Sequence, residues 1–428
     1  MKISDVKAIQ ILDSRGNPTI KAFVKVNDVW GDFSVPSGAS IGTHEALELR
    51  DGGKKYHGLG VNKAIINILG PIRDAVLGID VTNQKLIDKT LIELDGTENK
   101  SNLGANAILS VSGAVTRVAS KSLKIPLYQY LRGIYEQNGV WQPDLVIAEN
   151  NYILPELYFN VINGGKHAEN NIDIQESMIV PHAKTVAERI RIASEVYQSL
   201  KLILKSMNLQ TGLGDEGGFA PNLDSNTKTI EIILEAIQKS GYRAGSDVSI
   251  ALDIAASEIY ENDKDNKYVL ASENVALSSL QLTSWYKELI SKYPIISIED
   301  GLDEDDWDGW KLMTERIGDK VQLVGDDLFV TNVGRINEGV DHNVANAVLI
   351  KMNQAGTISE TFDAIRFSTK NYYKAMISHR SGETDDPFIA DLTVAVGVAQ
   401  LKAGAPARGE RTAKYNRLIE IEQEIINN

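Results

Sequence analysis

The spacing of apolar positions changes character along this chain. At the start, MKISDVKAIQILDSRGNPT alternates apolar and polar residues, with Val6, Ala8, Ile9 and Ile11 followed by Ile20, Phe23, Val24 and Val26 around a turn at Asn27-Asp28. That period predicts strands. The text then turns helical in GANAILSVSGAVTRVASKSL, which stops before Pro126. A polar connection, RGIYEQNGVWQPD, closes this α+β region, so the domain boundary is set at residue 140, with 1–140 on one side and 141–428 on the other.

Beyond the boundary, strong helices alternate with short apolar strands. From Thr185 to Asn208 the positions Val186, Ile190, Ala193, Tyr197, Leu200, Leu204 and Met207 fall on one helical face, a packing stripe. The strands end on polar residues: SIALD at Asp253, PIISIE at Glu299, VQLVGD at Asp326, AVLIK at Lys351, AMISH at His379 and AQLK at Lys402. Their intervals come close to the roughly 30 residues of one strand-helix unit in an eight-fold barrel. The first interval is longer and contains a hairpin-like insertion, EIYENDKDNKYVLA. The pattern predicts an α/β fold with a (β/α)8-type barrel. Such a barrel gathers its strand C-termini on one face, so these six residues should share a site.

Three of them, Asp253, Glu299 and Asp326, are hard oxygen donors on successive strands, a set that suits Mg²⁺ and disfavours zinc. Lys351 follows on the next strand, where a base beside a carboxylate-bound metal suits proton abstraction next to a carbonyl or carboxylate. A second ammonium, Lys402, about 4 Å away would repel it by roughly 4 kcal/mol at an effective dielectric of about 20. That predicts a lowered Lys351 pKa, although Lys402 can equally serve to neutralise substrate charge. The acidic run after Glu299 (Asp300, Asp303, Glu304, Asp305, Asp306 and Asp308) reads as a solvated loop and first helical turn. Gly212 to Gly217 fits GxGxxG, but Asp215 and Glu216 would face a pyrophosphate and no helix start follows. It is instead a loop presenting a carboxylic acid.

Bulk properties narrow the classes. With 428 residues, 43% of them hydrophobic, the chain can bury a large core. No apolar window is long enough to span a bilayer. A net charge of −14 argues against nucleic-acid binding. The absence of cysteine excludes disulfides and thiol catalysis. With no apolar leader at the N-terminus, a cytoplasmic location is expected.

Along the whole chain the residues resemble enolase, the phosphopyruvate hydratase family. The matching segments include DSRGNPT, PSGAS, HEALELRDG, LGANAILSVS, NGGKHA, GDEGGFAPNL, LDIAASE, SIED, DDLFVTN, LIKMNQAGT, SHRSGET and GAPARGERTAKYN. The resemblance implies an N-terminal capping domain on an enolase-type barrel, and Mg²⁺-dependent dehydration of 2-phosphoglycerate to phosphoenolpyruvate through an enediolate. It implies Lys351 as the base at C2, Glu216 as the acid at the C3 hydroxyl and Glu176 as its orienting partner. Asp253, Glu299 and Asp326 would hold the first Mg²⁺, and Ser40 a second that arrives with substrate. Arg380 and Ser381 would clamp the phosphate, with His167, Gln175, His379 and Lys402 completing the substrate site. A homodimer or an octamer of dimers is implied, with no nucleic-acid or membrane partner.

Some positions depart from the common pattern: Lys166 for serine, Ser177 for phenylalanine, Ile41 for threonine, Lys21 for glutamate and Glu420 for arginine. None is a ligand or a base. The last two suggest an ion pair across a subunit interface with its charges exchanged. A racemase or cycloisomerase on the same barrel would need its base elsewhere, and a non-catalytic scaffold would show decay at these positions.

Overall fold

The computed structural model describes residues 1–38, 44–142, 152–261 and 267–427. The N-terminal alternation folds as an antiparallel sheet of β1 (Ile3–Leu12), β2 (Pro18–Val26) and β3 (Val29–Ser34). Helices α1 (Gln84–Asp95), α2 (Ala105–Leu123) and α3 (Leu127–Glu136) accompany it. Two glycines let α2 lie flat on the sheet. A Cβ on Gly31 would meet the Val118 backbone nitrogen at 2.2 Å, and one on Gly113 would meet the Phe33 ring at 2.5 Å.

The second region is a closed eight-stranded barrel. Its strands are β4 (Glu156–Asn163), β5 (Glu176–Pro181), β6 (Val248–Asp253), β7 (Ile295–Glu299), β8 (Gln322–Gly325), β9 (Ala347–Ile350), β10 (Lys374–Ser378) and β11 (Gln400–Lys402). From β6 through β11 and on to β4 every pairing is parallel, but β5 runs antiparallel to both β4 and β6. The reason is connectivity. β4 and β5 are joined directly by the loop at 164–175, with no crossover helix to restore direction. In consequence β5 presents its N-terminal residue, Glu176, on the face where its neighbours present their C-terminal ones, and the register sets Glu176 beside Asp253.

Helices α4 (Val186–Ser206) and α5 (Asn226–Lys239) then carry the chain to β6. The stripe on α4 is real but shifted. Ile192, Val196 and Ile203 are buried with Ala193, Tyr197, Leu200 and Leu204, whereas Met207 is exposed. The remaining barrel helices used below are α6 (Ser279–Lys292), α7 (Trp307–Ile317), α8 (Val333–His342), α9 (Ile358–Lys370), α10 (Phe388–Val396) and α11 (Gly409–Asn427). The insertion after β6 forms a small antiparallel sheet of residues 260–261, 267–270 and 275–277.

The two regions are clasped by charged and polar contacts. Lys100 pairs with Glu360 at the start of α9 at 2.8 Å, and Arg117 forms a bidentate pair with Asp386. Asp88 on α1 accepts from the Ser359 backbone N–H at 2.9 Å and from its hydroxyl at 2.7 Å. These fix the N-terminal region over the mouth of the barrel.

Candidate active site

The barrel floor supports the site with a mixed layer. Apolar Met178, Val180, Val324, Leu349 and Met376 fill it, and Gln400 bridges Tyr158 and Gln322, each at 3.0 Å. Above this layer the six strand-end residues converge as expected, all but Lys351 classed as buried. A small cavity there is lined by His167, Gln175, Glu176, Glu216, Asp253, Asp326, Lys351, His379, Arg380, Ser381 and Lys402 among others. Glu299 joins them through Lys402. Ser40 and Ile41 lie outside the described residues.

Ring position around the barrel decides who meets whom. Lys402, on β11, lies across from Glu299, on β7, and its ammonium reaches over the floor to donate to Glu299 at 2.8 Å. It also pairs with Glu176 at 2.9 Å and Asp253 at 3.2 Å. Lys351, on β9, is next to β8 and forms an ion pair with Asp326, whose other oxygen accepts from Gln354 at 3.0 Å. Glu176, on β5, is diametrically opposite Lys351. The cavity thus has a lysine on one wall and a carboxyl pair on the other.

Electrostatics correct one expectation. Burial does oppose the charge on Lys351, and Lys402 repels it, but the adjoining Asp326 carboxylate outweighs both and raises the pKa. Lys402 is likewise raised: burial pulls it down, while Glu176, Glu299 and Asp253 push it well up. Asp326 is lowered, because Lys351 overcomes the cost of burial. Glu299 is raised by burial and by Asp253 in spite of Lys402.

The donor set fits a divalent cation. Glu176, Glu216, Asp253, Asp300, Asp326 and Asp327 line the cavity with Lys351, Arg380 and Lys402 as its cations. These carboxyl groups and Glu299 outnumber the cations that could balance them, and burial beside one another raises the pKa of Glu176, Glu299 and Asp300, so a divalent cation would favour their ionised forms. Asp253, Glu299 and Asp326 offer only hard oxygens, as Mg²⁺ requires. Asp300 belongs to the frame, since it accepts from the backbone N–H groups of Asp326 and Asp327, each at 2.8 Å. Burial and the adjoining Asp327 push its pKa well up.

Asp300 also corrects the reading of the acidic run as wholly solvated, and Asp306 does so again. Asp306 caps α7 through the Gly309 N–H at 3.0 Å and accepts from Tyr268 and Ser279 at 2.8 and 2.6 Å. Asp305 does face solvent, beside His44 and Arg335.

The opposite wall is a carboxyl pair with two histidines. His167 Nδ1 lies 3.5 Å from Glu176 and 3.7 Å from Glu216, and His379 Nε2 lies 3.3 Å from Glu216. Burial and the charge on Glu216 raise Glu176 well above the ordinary range. Burial acts on Glu216 too, but His379 and His167 outweigh it and lower the pKa. Of the two, Glu176 is therefore the one that takes up a proton first. Burial lowers His167 and brings His379 down to about 4, with Arg411 adding to the effect on His379. Burial thus favours the neutral form of both imidazoles.

Arg380 spends its fork on Glu45 of the N-terminal region, at 2.9 and 3.2 Å, and reaches Asn353 at 3.2 Å. The buried Gln175 Oε1 has no hydrogen-bond partner among the described residues. Lys166 pairs with Glu258 at 3.1 Å on the rim, and the buried Ser177 Oγ has no partner among the described residues.

Sequence reasoning missed Asn160, which donates to Glu216 at 2.9 Å, and Arg411, whose guanidinium touches His379. A signal for Arg411 existed. Arg411 and Lys414 share the buried face of α11 with Tyr415, Leu418 and Ile421, and charge at core positions of a helix marks a buried polar network.

Comparison with known proteins agrees with this geometry. The family profile described as the enolase C-terminal TIM barrel domain matches residues 151–428, and the one described as the enolase N-terminal domain matches residues 3–131. A curated enolase from Sulfurimonas denitrificans is 53% identical over 428 residues, covering 100% of this chain and 97% of its own length.

Proposed function

The chain belongs to the enolase family, and we propose how its residues divide the work of a phosphopyruvate hydratase, the glycolytic lyase that interconverts 2-phosphoglycerate and phosphoenolpyruvate. The observation that carries this reading is the placement of Lys351 and the Glu176–Glu216 pair on opposite walls of one cavity. A base on one side and an acid on the other suit removal of a proton from C2 and loss of hydroxide from C3 on opposite faces of the substrate.

Lys351 is the base. In the protein alone Asp326 keeps it protonated, so the reaction requires that ion pair to loosen. The enzyme works with a divalent metal, Mg²⁺ in this reading, which when bound supplies positive charge to the substrate carboxylate and competes for the oxygens of Asp253, Glu299 and Asp326. Lys402 adds a fixed positive charge beside the carboxylate as the enediolate forms. A second Mg²⁺, arriving with substrate, would be held by Ser40 and the phosphate.

Glu216 is the acid that protonates the departing C3 hydroxyl. Glu216 takes up a proton less readily than Glu176, so it must acquire one to act, and His167 lies beside both carboxyls to pass it across. Arg380 and Ser381 bind the phosphate. Arg380 trades the Glu45 carboxylate for a dianion, which its planar fork suits at least as well. Gln175 brings to the same cavity, which His379 also lines, an acceptor without a partner among the described residues.

We also place the domain boundary near residue 140 and the protein in the cytoplasm, as a homodimer or an octamer of dimers. No helix among the described residues is long and apolar enough to cross a membrane. Within one chain Lys21 pairs with Asp32 at 2.9 Å and Glu420 with Arg417 at 3.1 Å. A cross-subunit Lys21–Glu420 pair would compete with both.

The test is to add 2-phosphoglycerate to purified protein and follow phosphoenolpyruvate by its ultraviolet absorbance, with Mg²⁺ and then with excess EDTA. Product that stops on chelation is expected. A folded, metal-loaded sample that makes no product would overturn the reading.

A further inference from the structure

Arg411, near the start of α11, has a guanidinium buried completely. Nη1 donates to His379 Nδ1 and to the Arg380 carbonyl at 2.7 Å. Nη2 donates to the Ser381 carbonyl at 2.7 Å and to the Asp215 carbonyl at 3.0 Å. One side chain thereby ties the loop after β10, which carries His379 to Ser381, to the loop that carries Glu216. The turn after β11 is shaped around it, since a Cβ on Gly404 would meet Arg411 Cδ at 2.7 Å.

A guanidinium has donors only and does not lose its proton in proteins. A ring nitrogen that receives a hydrogen bond from it must therefore be bare. For His379 that nitrogen is Nδ1, so the hydrogen is on Nε2, which lies 3.3 Å from Glu216 Oε2 and has no other partner among the described residues. The same oxygen accepts from Asn160, whose own Oδ1 is buried without a partner among the described residues. The groups facing His379 are Glu216 from the acid loop, Arg411 from α11, and Glu383, which Lys414 holds at 2.7 Å. Two of these are carboxylates. Burial opposes a second proton on the ring, and of these three groups Arg411 alone adds to that opposition.

We propose that Arg411 is a positioning residue for the dehydration step: it fixes His379 as the Nε2–H tautomer and, through that hydrogen and the Asp215 carbonyl, aims the Glu216 carboxyl at the leaving group. The inference rests on the reading of Glu216 as the acid. It separates this arginine from Arg380, which faces the substrate, and assigns His379 a constant neutral donor role instead of proton transfer.

The experiment is ¹⁵N NMR of the imidazole rings in protein labelled at its six histidines, with His379 assigned by its loss in His379→Gln. In the unmodified protein His379 should show hydrogen on Nε2, a bare Nδ1 and no titration between pH 8 and about 5.5. In Arg411→Gln it should titrate, with kcat reduced about 10- to 100-fold, KM changed by less than about threefold, and a new ionisation in the pH profile of kcat, whereas Arg411→Lys, which keeps a donor-only cation, should move each of these less. Hydrogen on Nδ1, or a midpoint near pH 6.5, in the unmodified protein overturns the proposal, and that result is readable even if the variants do not fold. So does a variant that loses activity while His379 keeps one non-titrating tautomer, because the arginine would then be purely structural. The spectrum does not depend on turnover. Full activity of Glu216→Gln would instead remove the acid assignment, and with it the aiming role, while leaving the tautomer result intact.

Discussion

The two walls of this site are built differently. On the base wall, Asp253, Glu299, Asp326, Lys351 and Lys402 sit at the ends of parallel strands, so the barrel backbone sets their positions and they balance one another's charge directly. On the acid wall, Glu216 and His167 sit on loops and Glu176 begins the one antiparallel strand. There the geometry depends on side chains sent from elsewhere, Asn160 from β4 and Arg411 from α11. The base wall can be read from its own residues. The acid wall has to be read through its supports, and a change far along the chain can disable it.

Substitutions separate the walls, and the largest effect is expected on the base side. Lys351→Ala should reduce turnover by at least about 10³-fold, measured as phosphoenolpyruvate formation, because Lys402, the other amine on that wall, is held by Glu176, Asp253 and Glu299. Asp326→Asn should be milder, raising the Mg²⁺ concentration for half-maximal activity about tenfold or more in a metal titration. An unchanged titration would remove Asp326 from the donor set.

On the acid wall the expected effect appears in stability against pH. His379 is held down to about 4 from its ordinary 6.5. Between those values the unfolded chain binds a proton that the folded protein refuses, so stability falls as pH drops through that window and is fully present above it. The contribution is about 3 kcal/mol at most. Urea unfolding from pH 7 to 4.5 should show that loss in the unmodified protein and a flatter dependence in His379→Gln. A smaller effect is expected behind the acid wall, where the Ser177 hydroxyl is buried unpaired beside Glu176. Ser177→Ala should gain about 1 kcal/mol in the same unfolding assay.

The sequence made the base wall legible because strand-end polar residues recur at the interval of a barrel unit, and its five residues fall where that interval puts them. On the acid wall the same interval gave His379 and the glycine-rich loop gave a carboxylic acid, but His167 and Glu176 were legible only through resemblance. Nothing in the spacing says that the loop at 164–175 joins β4 to β5 without a helix, yet that missing helix reverses β5 and brings Glu176 to the catalytic face. The sign of the Lys351 shift also escaped prediction, because a count of nearby lysines ignored the closer Asp326. Asp300 was read as solvated because it stands in an acidic run, and only the β7–β8 pairing shows it holding the backbone of Asp326 and Asp327.

The separation of the two walls can be measured in one experiment, by following hydrogen–deuterium exchange at C2 of 2-phosphoglycerate alongside phosphoenolpyruvate formation in Glu216→Gln and Lys351→Ala. The account predicts that Glu216→Gln still exchanges the C2 proton while losing dehydration, and that Lys351→Ala does neither. Exchange that persists in Lys351→Ala, or full dehydration by Glu216→Gln, would contradict it.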